Sequence, residues 1–295
     1  MKLNFTELIY SLSYGLDCVE KDLSGVKSDH GKRVACMSLF MAKDLGIQGN
    51  ELVEFIGCAV LHDNAIAEYI SEEFDNDYNK AKRKILTNLN GKNLNVRIHC
   101  VAGEENISLL PFKTNVKNII LYHHGFLGYE KVNTSDVNYL KSQIISISDT
   151  ADSLVDITRI TKFKYGFLKF ILKILAGKMY SRETVKLFLK NVTFEKLKEI
   201  KDKGPQKILN EEVPSEFEEY TDEEIRNIAL TFAKVVDYKS SFTKDHSIGV
   251  ATKADKMAEY YHFEKEQHIR FYFAAALHDI GKLVISNDIL EKKGS

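Results

Sequence analysis

GCAVLHDNAI, residues 57–66, is an apolar run that ends in the adjacent pair His62-Asp63. A near copy, FAAALHDIGK at residues 273–282, carries a similar apolar run into His278-Asp279. The two stretches align with an offset of 216 residues. We interpret this self-similarity as an internal repeat.

An earlier histidine accompanies each pair. His30 precedes His62 by 32 residues, and His246 precedes His278 by 32, so the offset of 216 also relates these two histidines. A single histidine at a helix end is more often structural than functional. Here the same spacing occurs in both copies, so the earlier histidine belongs to the repeated unit.

Length and composition predict a globular protein of roughly two domains. The chain has 295 residues, of which 44% are hydrophobic and 28% are charged. A formal net charge of −1 and a pI near 6.8 give no overall basic field. We therefore do not expect a nucleic acid polymer as a partner.

The cysteines and the apolar runs predict the compartment. Cys18, Cys36, Cys58 and Cys100 lie far apart without a Cys-x-x-Cys pair, which favours small buried hydrophobic side chains over zinc or redox chemistry. The polar N-terminal residues do not resemble a signal peptide. No stretch approaches the roughly 18 apolar residues of a membrane span. The expected location is a reducing cytoplasm.

The hydrophobic pattern is helical almost throughout and predicts an all-α fold. Asp29 and Asn50 are placed to cap two helices, the second of which ends near the first His-Asp pair. Thr114 is placed to cap a helix that delivers His123-His124 at its end.

Two further helical patterns carry polar side chains. Residues 96–110 carry His99, and residues 135–157 carry Asp149. Between the helices, residues 71–92 are polar and charged, which indicates a loop or an exposed excursion.

The predicted boundary between the copies is a linker at residues 204–220, which contains two prolines and clustered acids. A capping box at residues 221–224 then begins the second copy. The expected organisation is a domain at 1–203, the linker, and the N-terminal half of a second domain at 221–295.

Residues 159–182 hold seven basic residues and no acid, with apolar residues interleaved. A basic amphipathic helix can bind a membrane surface or an acidic partner. We favour a helix that packs its apolar residues on the core and leaves its lysines in solvent.

The first copy offers several nitrogen and oxygen ligands at the ends or faces of different predicted helices. They are His62, Asp63, His99, His123, His124 and Asp149, with His30 in addition. Imidazole with carboxylate suits divalent metals such as Fe, Mn, Ni or Zn, and the lack of nearby thiolate argues against a structural zinc site. A carboxylate that bridges two such ions is the arrangement that generates a hydroxide for attack on phosphorus.

Five motifs follow one another in a specific order. They are His30 with Arg33-Val34-Ala35, the pair His62-Asp63, His99 with Gly103, His123-His124 with Gly128-Tyr129, and SDTADSL at residues 148–154. This ordered set resembles the HD-GYP branch of the HD superfamily of metal-dependent phosphohydrolases, over residues 1 to 203.

The resemblance implies an HD-type helical bundle, followed by a second, partial HD-type helical unit. It implies a cyclic di-GMP phosphodiesterase, or one for a related cyclic dinucleotide, with two divalent metal ions, Fe or Mn. The implied metal ligands are His62, Asp63, His99, His123, His124 and Asp149. Asp63 would bridge the ions and act with His30 as a catalytic residue, while Gly128 and Tyr129 would contact the substrate.

The first copy departs from the family pattern at two places. Members of the family continue the His-Asp pair with Ile-Gly-Lys, whose lysine meets the substrate phosphate, whereas this chain has Asn64-Ala65-Ile66. The loop after His124 is also shortened and changed. We therefore expect slow turnover.

The second copy has the opposite departure. His246, His278, Asp279 and Lys282 resemble the family more closely, but no His-His doublet follows them within the 295 residues. We expect an incomplete site here, either because the sequence is a fragment of a tandem protein or because a half-domain serves packing or homodimer formation.

Two functions therefore compete, besides a third in which the chain is a scaffold that signals through its basic segment. The first is a phosphodiesterase in which a metal-bound hydroxide attacks phosphorus. The alternative is a catalytically degenerate HD module that binds a nucleotide or a partner and regulates an associated domain. Turnover in the presence of metal distinguishes the two.

Overall fold

A computed structural model describes residues 1–24, 28–74, 97–124, 136–238, 245–290 and 292. The fold of these residues is all-α, which confirms the predicted class. The predicted substrate contacts Gly128 and Tyr129 lie outside the described residues, as does most of the stretch 71–92. No helix in the described ranges is long and apolar enough to cross a membrane.

The chain forms two compact units, each assembled from separated segments. The first unit comprises Met1–Ser28, Asp63–Pro111 and Glu216–Ser295, and the second comprises Asp29–His62 and Phe112–Ser215. These units follow tertiary contacts and not sequence order. The boundaries at 203 and 221 stay a prediction about the repeated segments.

The first unit contains one short strand pair and the described helices of the second copy, together with three helices from earlier in the chain. Its elements are β1 (Lys2–Leu3), α1 (Phe5–Ser24), α4 (Ile66–Phe74), α5 (Arg97–Ser108), β2 (Glu218–Glu219), α11 (Asp222–Asp237), α12 (His246–Tyr260), α13 (Lys265–Leu277) and α14 (Asn287–Leu290), with a 3₁₀ turn at Ile280–Val284. Strands β1 and β2 pair antiparallel. Helix α1 packs against the 3₁₀ turn, where a Cβ at Gly15 would lie 2.7 Å from the Cβ of Leu283, so only glycine permits this approach.

The second unit is built around one buried helix. Its elements are α2 (His30–Asp44), α3 (Gly49–Val60), α6 (Tyr139–Leu154), α7 (Lys162–Leu175), α8 (Arg182–Asn191), α9 (Phe194–Lys203) and α10 (Pro205–Glu212), with a 3₁₀ turn at Ile157–Arg159. Helix α2 packs against α3, α6, α8 and α10, and almost all of its side chains are buried. A helix that is buried on all sides is the centre of a bundle.

Most predicted helices are present with shifted ends. The capping box is confirmed: Glu224 donates its backbone N–H to Thr221 Oγ1 at 3.2 Å, and the Glu224 carboxylate accepts the Thr221 N–H at 2.7 Å. Helices α8 and α9 are separate, because Thr193 begins a new helix by accepting the N–H of Lys196. Part of the predicted linker is helical, since α10 lies within it.

The predicted helix from Thr114 to His124 is wrong, because residues 117–124 form consecutive turns. The Glu54 carboxylate accepts the backbone N–H groups of Lys113 and Thr114 at 2.6 and 2.7 Å, which holds the start of the segment to α3. Asn118 has a φ of 71°, which interrupts a right-handed helix. The pattern of apolar residues did not reveal either constraint.

Candidate metal centre

Four histidine rings lie close together in the second unit. His30 begins α2, and His62 follows the end of α3. The ring centroids of His30 and His62 are 5.4 Å apart, those of His62 and His123 are 5.6 Å apart, and those of His123 and His124 are 4.1 Å apart. His30, His62 and His123 are almost fully buried.

Asp149 of α6 contributes a carboxylate to these histidines. Its Oδ1 lies 3.3 Å from Nε2 of His30. Burial alone would raise the pKa of Asp149, but the hydrogen bond to His30 and the nearby charges of His62 and His124 lower that pKa to about 2. The group is therefore a carboxylate at neutral pH, which is the form that binds a metal ion.

Backbone carbonyls orient two of the imidazoles. The Nδ1–H of His62 donates to the carbonyl oxygen of Ala59 at 3.0 Å, and the Nδ1–H of His123 donates to that of Ile120 at 2.6 Å. In a neutral imidazole this assignment puts the lone pair on Nε2. Histidines that bind metals usually donate their other ring N–H to a carbonyl or carboxylate in this way.

The carboxylate of Asp152 orients the ring of His30. Its Oδ2 accepts from Nδ1 of His30 at 2.6 Å, and its two oxygens accept from Nε and Nη2 of Arg33 at 2.7 and 2.8 Å. Burial would raise the pKa of Asp152, but the hydrogen bonds to His30 and Arg33 lower it. The sequence motifs contain Arg33 and Asp152 but indicate no role for either residue. The available signal was the i, i+3 spacing of Asp149 and Asp152, which puts both carboxylates on one face of α6.

The first unit brings Asp63 together with His99. Nε2 of His99, on α5, lies 3.4 Å from Oδ1 of Asp63. Burial disfavours the charged ring, but Cys100 and Asp63 raise the pKa of His99 to about 9. The ring of Tyr69 lies 6.1 Å from that of His99.

The residue that follows Asp63 has a structural role. Asn64 is buried, donates to the carbonyl oxygen of Gly103 at 3.2 Å, and accepts from Nδ2 of Asn106 at 2.9 Å. This pairing holds the start of α4 against α5. The first departure from the family motif is therefore an asparagine that joins two helices.

The second copy repeats the local geometry of the first. His246 begins α12 after Asp245, whose φ is 58°, just as His30 begins α2 after Asp29, whose φ is 65°. The rings of His246 and His278 are 5.2 Å apart at an interplanar angle of 56°, compared with 5.4 Å and 55° for His30 and His62. Nδ1 of His278 donates to the carbonyl oxygen of Ala275 at 2.8 Å, as His62 does to that of Ala59.

Asp279 completes a smaller cluster with these two histidines. Ligand atoms of His246, His278 and Asp279 lie within 4.8 Å of one another. Nζ of Lys282 donates to Oδ2 of Asp279 at 2.5 Å. The lysine that the first copy lacks is thus held at the carboxylate of the His-Asp pair.

The donor sets fit divalent metal ions in their chemistry. The second unit supplies four imidazoles, of which those of His30, His62 and His123 have acceptors at Nδ1, together with the Asp149 carboxylate, and the candidate clusters among the described residues contain no cysteine. Such nitrogen and oxygen sets suit Fe, Mn, Ni or Zn. The described residues therefore contain His/Asp clusters that could hold metal ions, in agreement with the predicted class of cofactor.

The chain is similar to known proteins over part or all of its length. Residues 243–295 match the HD domain. The chain is similar to 3'3'-cGAMP-specific phosphodiesterase 1 of Vibrio cholerae serotype O1, with 27% identity over 304 residues that cover 99% of this chain. It spans 66% of that relative, about two thirds of its length.

A second relative and a crystal structure agree. The 3'3'-cGAMP-specific phosphodiesterase 3 of the same organism is 45% identical over 67 residues, which cover 23% of this chain and 15% of that protein. The crystal structure of a cyclic GMP-AMP-specific phosphodiesterase from V. cholerae matches 100% of this chain and 75% of its own, with a TM-score of 0.67 and 21% identity. At that identity the structural likeness establishes the fold.

Proposed function

We propose that this chain belongs to the HD superfamily of metal-dependent phosphohydrolases and that it hydrolyses a cyclic dinucleotide at a centre of two divalent metal ions. The observation that carries the proposal is the orientation of His62 and His123. Each donates its Nδ1–H to a backbone carbonyl, which leaves Nε2 as the ligand atom.

The proposed ligands are the residues that the family resemblance implies: His62, Asp63, His99, His123, His124 and Asp149. When bound, Fe or Mn ions lower the pKa of a coordinated water and stabilise charge on a phosphoryl group. The ion identity and the bridging role of Asp63 are part of the proposal.

The protein's own residues fix the protonation states that such a centre needs. Asp149 is held as a carboxylate by His30 and the neighbouring imidazoles. Arg33 holds Asp152 in position, and Asp152 in turn fixes the ring of His30 with Nε2 toward Asp149. We propose that His30 and Asp63 are catalytic residues, as the family resemblance implies.

The names of the relatives favour 3'3'-cGAMP as the substrate over the cyclic di-GMP that the family resemblance implies. The test is hydrolysis of both nucleotides, in parallel, by the purified chain loaded with Mn²⁺ or Fe²⁺ under reducing conditions. We expect the linear product from 3'3'-cGAMP to accumulate faster. Binding of either nucleotide without a linear product would replace this proposal with the regulatory alternative.

A specific observation supports that alternative. Ile66 stands at the position that Lys282 occupies in the second copy, so no lysine of this motif serves the first copy. An HD module without that lysine could bind a nucleotide and regulate the second copy, which we propose to be a partial HD-type unit. Homodimer formation and a reducing compartment stay predictions.

Substitution of Ile66 by lysine tests the lysine argument. Asn64 joins α4 to α5 and Ala65 is buried, so exchange of all three residues for Ile-Gly-Lys would disturb packing. The single change Ile66→Lys introduces the lysine that the second copy has at this position and leaves Asn64 and Ala65 unchanged. We expect kcat for cyclic dinucleotide hydrolysis to rise by about tenfold or more, since a fully positioned acid–base group contributes roughly 10²–10⁴-fold.

The control is Ile66→Met, which keeps the length and apolar character of the side chain without the charge. Steady-state kinetics at saturating metal measure the change. An unchanged kcat for Ile66→Lys, with Ile66→Met equally unchanged, would show that the missing lysine does not limit turnover.

A further inference from the structure

Helix α7 (Lys162–Leu175) presents a line of large apolar side chains to solvent. Phe163, Phe167, Phe170 and Ile174 are 85%, 46%, 61% and 44% exposed. Their spacing of i, i+4, i+7 and i+11 places them on one side of the helix. We call these four residues the phenylalanine ridge.

The opposite side of α7 is fixed to the second unit. Leu168 and Leu172 are fully buried, and Tyr165 donates its hydroxyl to the carbonyl oxygen of Val192 at 3.1 Å. Thr161 accepts the N–H of Lys164 and begins the helix. The ridge is therefore the outer face of a well-anchored helix. The prediction that the apolar residues of this segment pack on the core holds for the leucines and is wrong for the phenylalanines.

Lysines border the ridge. At 100° per residue, Lys162, Lys169 and Lys173 lie along one flank of the ridge, and Lys164 lies on the other. The first three are exposed. Residues 159–182 contain seven basic residues and no acid, in a chain whose net charge is −1, so the positive charge is concentrated at this helix.

The exposed apolar ridge and its bordering lysines together indicate what kind of surface α7 binds. A contiguous exposed apolar patch with a polar rim marks an interaction site. In a symmetric contact between two copies, both partners would bring the same lysines to the interface, and residues 159–182 hold no acid to pair with them. A bilayer of anionic lipids satisfies both features, because aromatic side chains enter the acyl boundary while lysines reach the phosphates.

We propose that α7 is a peripheral docking helix for an anionic lipid surface. The helix would lie in the plane of the bilayer, with the ridge inserted and its lysines at the headgroups. Such binding combines apolar burial with electrostatic attraction, so it depends on lipid charge and weakens with salt.

Co-sedimentation of the full chain with vesicles tests the proposal. Vesicles of phosphatidylglycerol mixed with phosphatidylcholine are compared with vesicles of phosphatidylcholine alone. We expect the unsubstituted chain to sediment only with the anionic vesicles, and the triple substitution F163S/F167S/F170S to weaken this binding by about tenfold or more. The matched control is Phe217→Ser, since Phe217 is 67% exposed at a site outside α7.

A second pair of variants separates local charge from total charge. K162E/K169E/K173E removes the lysines on one flank of the ridge, and K198E/K201E/K207E makes the same change in net charge at exposed lysines outside α7. We expect only the first variant to lose binding. Because all substituted side chains are exposed, thermal unfolding by circular dichroism should be unchanged.

Three outcomes would overturn the proposal. The first is failure of the unsubstituted chain to bind anionic vesicles, and the second is equal binding by the ridge variant. The third is a dimer in sedimentation equilibrium that the ridge substitutions dissociate, without vesicle binding, which would assign the ridge to a second copy of the chain.

Discussion

Replacement of Asp149 by asparagine is expected to lower the rate of cyclic dinucleotide hydrolysis by on the order of 10²–10³-fold, the cost of losing one group that organises charge at a reacting centre. Asparagine preserves the shape of the side chain but removes its negative charge. In the structure this charge lies 3.3 Å from His30 and near His62 and His124. A neutral amide would no longer neutralise a bound cation.

The measurement is kcat/KM with saturating Mn²⁺, together with the metal content of each protein. Asp156→Asn is the matched control, because Asp156 belongs to the same acidic run but accepts from the N–H of Thr158 at the start of a 3₁₀ turn. Hydrolysis within threefold of the unsubstituted protein by Asp149→Asn would contradict its assignment as a ligand.

Substitution of Asp152 should have the next largest effect. Asp152 is not one of the proposed metal ligands or catalytic residues. Its carboxylate orients the ring of His30 and pairs with the buried guanidinium of Arg33. Loss of such an orienting partner usually costs 10–100-fold in metal affinity or activity. Removal of one member of a buried ion pair also costs about 3–5 kcal/mol of stability.

Two variants separate these effects. Asp152→Ala should lower the free energy of unfolding by about 3–5 kcal/mol, measured by urea denaturation of the metal-free protein. Asp152→Asn keeps an acceptor for Arg33 and should retain more of that stability, yet still reduce metal affinity by about tenfold or more at a temperature where the protein is folded. Metal affinity equal to that of the unsubstituted protein would limit Asp152 to a structural role.

The local parts of the site follow from the sequence. The repeated spacing of His30 and His62 predicts that both copies share a geometry, and the two ring pairs differ by only 0.2 Å in centroid distance, 5.4 against 5.2 Å. Apolar periodicity predicts most helices, since burial of one face fixes a helical pattern over many residues.

Long-range pairings do not follow from the sequence in the same way. Asp152 and Arg33 are 119 residues apart, and nothing in the local pattern of either helix indicates that they meet. Glu54 likewise replaces the predicted cap at Thr114 from 60 residues away. Periodicity shows which residues of α7 share a face, but it does not show whether a neighbouring element covers that face.

The structural role of the residues that depart from the family motif in the first copy is visible only in the tertiary contacts. Asn64 breaks the family motif, yet its amide joins Gly103 and Asn106 across two helices. The asparagine at this position therefore has a structural role in the first unit. The second copy keeps Lys282 at 2.5 Å from Asp279 and has the smaller set of ligands.

Metal content per chain tests the central claim most directly. The chain is reconstituted with Mn²⁺ or Fe²⁺ without oxygen, desalted, and analysed by plasma mass spectrometry beside the variants H62A/H123A and H246A/H278A. We predict about two ions per unsubstituted chain. The metal content should fall sharply in H62A/H123A and should be retained in H246A/H278A. Equal metal content in H62A/H123A and the unsubstituted chain, or no metal in either, would contradict the assignment of a metal centre to the first copy.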